Sequence, residues 1–430
     1  MLVRAPHRLL ATFIVLQLAC GDLVRNLIGW QLWAALSAAT LLWALIALRQ
    51  SGATWRWLPA PLLTFIGVAV ATLIVTPHPL ATLLGIALLL VHVLVAVVLA
   101  TLPLDALLEV LHRCLQGLLI ASLAFEIGVA LFVQGPVYPI WLVQGSGLPM
   151  IPWSTGGIFW GHRIQGITGN PNLTAMLALL ALIIAIGRHR AGLDRRLWWV
   201  WTALPVIVLA LTRSMTVLVA AVVVLLSFWL VYTWRRRPRG AFRPAVVVAA
   251  GLMAVLTAWA ISNWDRVVEA LGREASMEDR FQIWAAALDW WRGSPLLGRG
   301  WLSYWMPWVE PYDRLGLQDG ILYLQAHSVW IDVLMQAGIL GVLAWAWLLG
   351  STMRGAGREL AEAPAGAGPI AAVPLMILVA EAVQGLAESR PLIELGMVLL
   401  LVFAVRQERA RVEVGRLRTM ALPLPMQHDE

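Results

Sequence analysis

A histidine and three arginines have the side-chain types needed to bind a phosphorylated substrate and to move a proton. His327 stands at the start of a long apolar segment, in the stretch AHSVWIDVLMQAGILG. Imidazole titrates near neutral pH and therefore serves as a general base or acid. Arg163, Arg213 and Arg280 precede it along the chain, and a guanidinium group presents a planar fork of N–H donors to phosphate oxygens. If these residues converge, they could bind a lipid phosphate or pyrophosphate beside a base.

Some of these residues also have plainer interpretations. A histidine at a helix end often only hydrogen-bonds a carbonyl or faces water, and Arg280, which follows two acidic residues, could be a solvated loop charge. Arg213 lies in a very short turn between two apolar runs, where an isolated charge is costly, and this favours a functional partner for it. Asp332 lies five residues after His327, about 140° around a helix, so we do not expect it to orient the imidazole.

The composition predicts that these residues are carried by an integral membrane protein. Hydrophobic side chains make up 60% of the 430 positions and charged ones only 13%, and the mean hydropathy is +0.79. Apolar runs of about 20 residues, the length of a membrane-spanning helix, recur along the chain. Because lipid offers no hydrogen bonds to the backbone, such runs must be helical. We therefore expect an all-α polytopic membrane protein, residues 1–430 forming a single transmembrane domain.

About 12 transmembrane helices are predicted, together with their orientation. They lie at about 9–27, 30–48, 56–76, 80–101, 105–134, 171–188, 197–212, 214–234, 243–261, 328–351, 368–387 and 391–406. Most arginines fall in alternate connections and in the C-terminal tail, and basic residues accumulate on the cytoplasmic side of a membrane. Both termini are therefore predicted to be cytoplasmic.

Two long segments then lie on the outer side. Residues 135–170 form the first, which is rich in Gly, Pro and aromatic residues, and residues 262–327 form the second and larger one. A loop of that length without secondary structure is unusual, so we expect helices in it, first of all in MEDRFQIWAAALDWWRGS. One face of that helix would rest on the membrane surface or on the bundle, and it carries Phe281, Trp284, Ala285 and Leu288. Part of the active site is expected in the second loop.

Several function classes lack support in the sequence. No HExxH or DxD element is present and the histidines are scattered, so neither a metal site nor a cofactor is predicted. The glycine stretches GSGLP and GRGW are too short for nucleotide-binding loops. The net charge of +7 comes from arginines in short loops and does not indicate nucleic acid binding. Cys20 and Cys114 fall in separate apolar segments, so no disulfide is expected.

Four stretches between residues 163 and 341 carry a family resemblance. In the last, a histidine is followed by Ser, nine arbitrary residues, Gly, two more residues and Gly. The stretches are GITGNPNLTA with Asn170 and Asn172, LTRS with Arg213, DRFQIWAAALDWWRGSPLLGRGW with Arg280 and Trp284, and the spaced set His327, Ser328, Gly338 and Gly341. In this order they resemble the O-antigen ligase and polymerase superfamily of bacterial envelope glycosyltransferases, and the spaced set fits the ligase signature at every fixed position.

The resemblance implies an O-antigen ligase of lipopolysaccharide biosynthesis. Such an enzyme transfers a polysaccharide from undecaprenyl pyrophosphate to a sugar hydroxyl of the lipid A core. The implied partners are that lipid-linked donor, the lipid A–core acceptor and membrane lipids. The implied location is the bacterial inner membrane, with the active site on the periplasmic face.

The resemblance also implies roles for individual residues. His327 would act as the general base on the acceptor hydroxyl, and Arg280, Arg213 and Arg163 would bind the donor pyrophosphate. Transfer would then be a single displacement with inversion that needs no metal. Supporting positions are Asn170, Asn172, Ser328, Trp284, Gly338 and Gly341, and the two glycines would allow close packing of the helix that follows His327.

Three other functions remain open on the sequence. A polymerase joining one lipid-linked repeat to another uses the same donor chemistry, and so does a transferase that adds glycans to protein. A transporter of lipid-linked sugar would use His327 and the arginines for binding or proton relay.

Overall fold

The computed structural model describes most of the chain as helix. The described residues are 5–141, 152–194, 196–236, 276–318, 321–364 and 366–420, with isolated positions at 248, 251 and 262. The helices are α1 (Ala5–Gln50), α2 (Ala60–Ala71), α3 (Pro79–Leu99), α4 (Leu104–Gly128), α5 (Pro171–Arg190), α6 (Trp198–Thr212), α7 (Met215–Arg236), α8 (Ser276–Trp291), α9 (Tyr312–Leu315), α10 (Val329–Glu362), α11 (Gly368–Gln384) and α12 (Glu394–Met420). A two-stranded antiparallel hairpin, β1 (Leu317–Gln318) and β2 (Ile321–Leu322), pairs Leu317 with Leu322.

The architecture is that of a polytopic α-helical membrane protein, as predicted. Within the described ranges, six helices are long and apolar enough to cross a membrane, and three shorter apolar helices accompany them. The predicted spans fall on described helices, except the one at 243–261, which lies almost entirely outside the described residues. The number of about 12 spans stays a prediction.

The first two predicted spans form the two arms of α1. Gly29 interrupts the helix with φ 84° and ψ 173°, a backbone conformation that glycine adopts without steric cost. The ring centroids of Phe13 and Trp43 lie 6.0 Å apart, although 30 residues of continuous helix would separate them by about 45 Å. The arms therefore fold back on each other.

The helix that follows His327 is broken at Gly338, where φ is 65°. The loop of residues 295–300 crosses α10 at this break. Its backbone forms hydrogen bonds with N–H and C=O groups of α10 on both sides of Gly338. The N–H of Ile339 donates to the Pro295 carbonyl at 3.0 Å, and the N–H of Gly300 donates to the Gln336 carbonyl at 3.0 Å. A Cβ added to Gly338 would lie 2.2 Å from the Leu296 carbonyl oxygen. The loop and the N-terminal half of α10 are thus fixed to each other.

The helix α8 packs against α10. Ile283 and Ala287 are fully buried, whereas Phe281 is 57% exposed. Trp284 is partly buried at the edge of that contact. The face that carries Phe281 was predicted to rest on the membrane surface or on the bundle, and its contact with the membrane surface stays a prediction.

The first outer segment is held by a buried carboxylate in α4. Glu126 is 1% exposed and accepts hydrogen bonds from the N–H groups of Gln165 and Gly166, at 2.8 and 2.7 Å. The hydroxyl of Ser154 donates to its other oxygen at 2.7 Å. These bonds set the path of the chain that carries Arg163 into α5.

Candidate functional site

His327 lies immediately before α10, with its backbone at φ 52°. Its Nδ1 lies 3.2 Å from Oε2 of Glu388, a residue of the short connection between α11 and α12. The same connection supports the start of α10, because the N–H of Ser328 donates to the Ser389 hydroxyl at 3.0 Å. An edge-on contact with Tyr323, at 5.3 Å between ring centroids, limits rotation of the imidazole.

Glu388 is the residue on which the predicted site converges. Its second oxygen, Oε1, accepts from Arg280 Nη2 at 3.0 Å and from Asn172 Nδ2 at 2.8 Å. The carboxylate side chain is only 3% exposed. Burial alone would raise the pKa of Glu388, but the hydrogen bond and charge of His327 and the charges of Arg280 and Arg390 outweigh it and lower that pKa. Glu388 is therefore an ionised, buried acceptor.

The ionised state of Glu388 decides which imidazole nitrogen carries the proton. A carboxylate only accepts hydrogen bonds, so in the neutral imidazole Nδ1 of His327 donates to it and Nε2 keeps its lone pair. Gln325 places its amide nitrogen 3.3 Å from the same Nδ1, a longer and uncharged contact. The tautomer with a basic Nε2 is thereby favoured.

Arg280 is buried, contrary to the interpretation as a solvated loop charge. It is 7% exposed, and its Nη1 donates to the Ala387 carbonyl at 2.8 Å. With the bond from Nη2 to Glu388, the guanidinium anchors α8 to the connection between α11 and α12. Burying such a charge is stable only with a paired and hydrogen-bonded partner.

The second predicted arginine, Arg163, joins the same network through Asn172. Its Nε donates to the Thr212 carbonyl at 2.9 Å, and its Nη2 lies 3.4 Å from Asn172 Oδ1. The hydroxyl of Ser214 donates to that same amide oxygen at 2.9 Å. Asn172 therefore bridges the turn after α6 to Glu388.

Asn170, two residues before Asn172, caps the helix α5. Its side-chain oxygen accepts from the N–H groups of Asn172 and Leu173, at 2.9 and 3.2 Å, and so caps the N-terminus of α5. Pro171 occupies the first helical position, where a missing N–H costs nothing. The stretch NPN thus starts a helix and aims Asn172 at Glu388.

Arg213 ends α6 in the left-handed conformation, with φ 49°. Thr212, which holds Arg163 through its carbonyl, and Ser214, which bonds Asn172, flank it in sequence. A Cβ added to Gly161 would lie 3.6 Å from Arg213 Nη2, so the guanidinium lies over the loop that carries Arg163. Among the described residues, no hydrogen bond or ion pair engages the Arg213 side chain.

Asp332 supports the loop before His327 and does not contact the imidazole. It accepts from Trp305 Nε1 at 2.7 Å, from the Ala326 N–H at 3.0 Å and from the Ser389 hydroxyl. Trp284 Nε1 donates to the Ala326 carbonyl at 2.7 Å. Ala326 is thus held through both its N–H and its carbonyl, which fixes the position of His327.

Sequence reasoning missed Glu388. The residue stands in the stretch AESRP, a short outer connection in the predicted topology, and it precedes Arg390 by only two positions. An acid between two spans was a detectable signal, but no spacing rule ties it to His327, 61 residues away. Only the packing of α11 against α5 and α10 brings the two together.

The fold and this network define a class of protein: a polytopic membrane protein with a histidine, a carboxylate and arginines gathered where its helices end. The O-antigen ligase family model matches residues 198–346, a range that contains Arg213, Arg280, His327 and Gly338. Over this range the chain is similar to the O-antigen ligase family, which confirms the resemblance seen in the sequence. A comparison with curated proteins gives no match. The family supports an enzyme of the glycosyltransferase type.

Proposed function

We propose that the protein is an O-antigen ligase that transfers a polysaccharide from undecaprenyl pyrophosphate to a sugar hydroxyl of the lipid A core. The observation that carries this proposal is the meeting of His327, Arg280 and Asn172 on one buried carboxylate, Glu388. A general base is held there beside a pair of further arginines, Arg163 and Arg213. Transfer from a pyrophosphate needs a base that takes the proton of the acceptor and cations that stabilise the leaving group.

The proposed reaction is a single displacement with inversion. His327 Nε2 takes the proton of the acceptor hydroxyl as its oxygen bonds to the anomeric carbon of the donor sugar. The bond from that carbon to the pyrophosphate oxygen breaks, and the pyrophosphate leaves with the bonding electrons on the undecaprenyl carrier. Glu388 holds Nδ1–H and stabilises the imidazolium that forms.

The charge balance of the network supports a pyrophosphate ligand. Glu388 offsets Arg280 at 3.0 Å, and Arg213, which has no ion pair among the described residues, adds a further positive charge. This leaves an excess of positive charge around the turn after α6. Such fixed cations stabilise a leaving group on which negative charge grows. We therefore propose that Arg213 contacts the pyrophosphate most directly, that Arg163 binds it as well, and that Arg280 acts partly through Glu388, without a metal.

The proposed location follows from the arginine distribution. With both termini in the cytoplasm, His327 and the arginine turns lie at the outer ends of their helices, on the periplasmic face of the inner membrane. The pyrophosphate of a lipid carrier sits at that depth while its tail stays in the bilayer. Access from the side, between helices, would then be required.

A deletion strain tests the proposed reaction. We expect lipopolysaccharide without long chains, with polymer accumulating on the lipid carrier, and restoration by the wild-type gene. Lipopolysaccharide bearing a single repeat would instead assign a polymerase, and loss of glycoprotein staining would assign transfer to protein. Polymer retained on the cytoplasmic side would assign a transporter.

A further inference from the structure

A cavity of about 360 Å³ lies between the two arms of α1, α3 and the start of α12. It is separate from the His327 network but adjacent to it. Arg390 lines the cavity and follows Glu388 by two residues, so their Cα atoms lie within about 7.6 Å. The connection between α11 and α12 therefore supplies both Arg390, which lines the cavity, and Glu388, which bonds His327.

The polar end of this cavity contains equal numbers of positive and negative charges. Arg25 pairs with Asp22, and Arg390 Nη1 lies 2.9 Å from Glu394 Oε2. Cross-contacts of 3.9 Å join Arg25 to Glu394 and Arg390 to Asp22. The cluster is thus neutral as a whole, yet it offers both carboxylate acceptors and guanidinium donors.

Unpartnered donors and aromatic rings surround this cluster. The buried Gln17 Nε2 and Trp33 Nε1 atoms, which both belong to cavity-lining residues, have no hydrogen-bond partner among the described residues. Trp30 and Tyr304 add ring surface, and Arg25 lies over the rings of Trp30 and Trp33, at 4.9 and 5.1 Å from their centroids. Buried donors normally find a partner, so these two indicate a polar ligand with acceptor atoms.

The rest of the cavity lining is mostly apolar. It includes Leu18, Leu41, Leu88 and Val95, with Ser37, Thr40 and His92 among them, and Leu88 is 39% exposed. A ligand with a polar headgroup and an acyl chain would match both ends.

We propose that this cavity binds the lipid acceptor, through sugar hydroxyls of its headgroup at the polar end and an acyl chain at the apolar end. The inference rests on the proposed ligase function. The donor is the poorer match, because its pyrophosphate needs uncompensated positive charge and the four charged residues here neutralise one another. A sugar headgroup, whose hydroxyls both donate and accept, matches mixed carboxylates and guanidiniums. Bound here, the acceptor has its headgroup next to the connection that holds His327.

Gln17→Leu and Trp33→Phe test the proposal, since each removes one unpartnered donor; Gln17→Leu does so at nearly constant volume, while Trp33→Phe keeps an aromatic ring but a smaller one. With saturating donor and purified lipid A–core as the varied acceptor, we expect the acceptor KM to rise about two- to tenfold, the value of one hydrogen bond. The kcat and the donor KM should not change. Trp229→Phe is the matched control, because Trp229 lines a different cavity, between α5, α7 and α11, and it should leave all three constants unchanged. An unaltered acceptor KM in both variants, or a raised donor KM, overturns the proposal.

A second measurement separates failure of this inference from failure of the ligase function. A photoreactive benzophenone amino acid replacing Leu41 should capture radiolabelled lipid A–core, and an excess of unlabelled lipid-linked donor should not prevent capture. If wild-type protein forms no glycan–core product, the ligase function fails, and capture still reports on the cavity. Absence of capture overturns the cavity assignment even where the ligase reaction is observed.

Discussion

At the scale of single residues, Glu388 determines what His327 can do. The carboxylate fixes the imidazole tautomer through Nδ1 and also holds Arg280 and Asn172. It contacts no reacting atom in the proposed mechanism, so it is a positioning residue that acts through the histidine. Its negative charge would also stabilise the imidazolium formed when the acceptor hydroxyl loses its proton.

Glu388→Gln should therefore lower kcat by about 10²-fold, within the usual range for general base catalysis. Glutamine preserves the shape but removes the charge, so the acidic limb of the pH–rate profile should move to lower pH. His327→Ala should abolish product altogether. Initial rates of glycan–core formation between about pH 5 and 9 measure both effects. A Glu388→Gln enzyme with fewer folded molecules but an unchanged pH profile would show a purely structural role.

Arg213 gives the second prediction at this scale. Arg213→Ala should reduce kcat/KM for the donor by about 10- to 100-fold, because it removes charge-assisted hydrogen bonds to the pyrophosphate. Arg213→Lys should recover part of that loss, since a point charge remains without the planar fork. Arg292→Ala is the control, because Arg292 forms an exposed surface pair with Asp289 on α8. Equal effects of the Arg213 and Arg292 changes would contradict a phosphate-binding role.

At the scale of elements, the break in α10 is what joins the outer loop to the membrane bundle. The sequence predicted Gly338 as a close-packing position, and the close approach of Leu296 is present. The sequence did not predict the positive φ, because a glycine inside an apolar run is equally compatible with an unbroken helix. The side-chain oxygen of Gln336 reinforces the crossing by accepting the N–H groups of Leu302 and Ser303, both at 2.9 Å.

Gly338→Ala should accordingly destabilise the protein and reduce activity, because the new Cβ meets backbone and φ 65° is unfavourable for alanine. Gly350→Ala, in the same helix but with open space around the added Cβ, should be neutral or slightly stabilising. Melting temperatures of the purified variants in one detergent distinguish the two. A melting temperature for Gly338→Ala equal to that of wild type would show that the break is not required.

Helix positions were predictable because apolar runs of spanning length have few alternatives in a membrane. The contact of α8 with α10 through Ile283 and Ala287 was not predictable, since the pattern of large side chains indicated only the neighbouring face that carries Phe281. The candidate site was predictable in part: motif spacing indicated Arg280, Asn172 and His327. To identify Glu388 from the sequence, one would need contacts between residues more than 60 positions apart, and local periodicity contains no information about such contacts.

At the scale of the whole molecule, all the proposed chemistry lies where one set of helix ends meets. α5 begins at Pro171, next to Asn172. α6 ends next to Arg213, and α10 begins shortly after His327. Asp22 and Arg25, at the turn of α1, contact Arg390 and Glu394 at this same end. Donor, base and acceptor cavity can therefore face one side of the membrane, and we propose from the arginine distribution that this side is the periplasm.

This orientation predicts which positions a membrane-impermeant thiol reagent reaches in intact cells with a permeabilised outer membrane. In a variant with Cys20 and Cys114 replaced by serine, Ser146→Cys in the first outer segment should be labelled. Gln427→Cys in the C-terminal tail should be labelled only after lysis, since the tail is predicted to be cytoplasmic. Both native cysteines are buried, so their replacement removes background without disturbing the surface. Labelling of position 427 in intact cells, with protection of position 146, would invert the topology and place the His327 network on the cytoplasmic face, where a periplasmic ligase could not act.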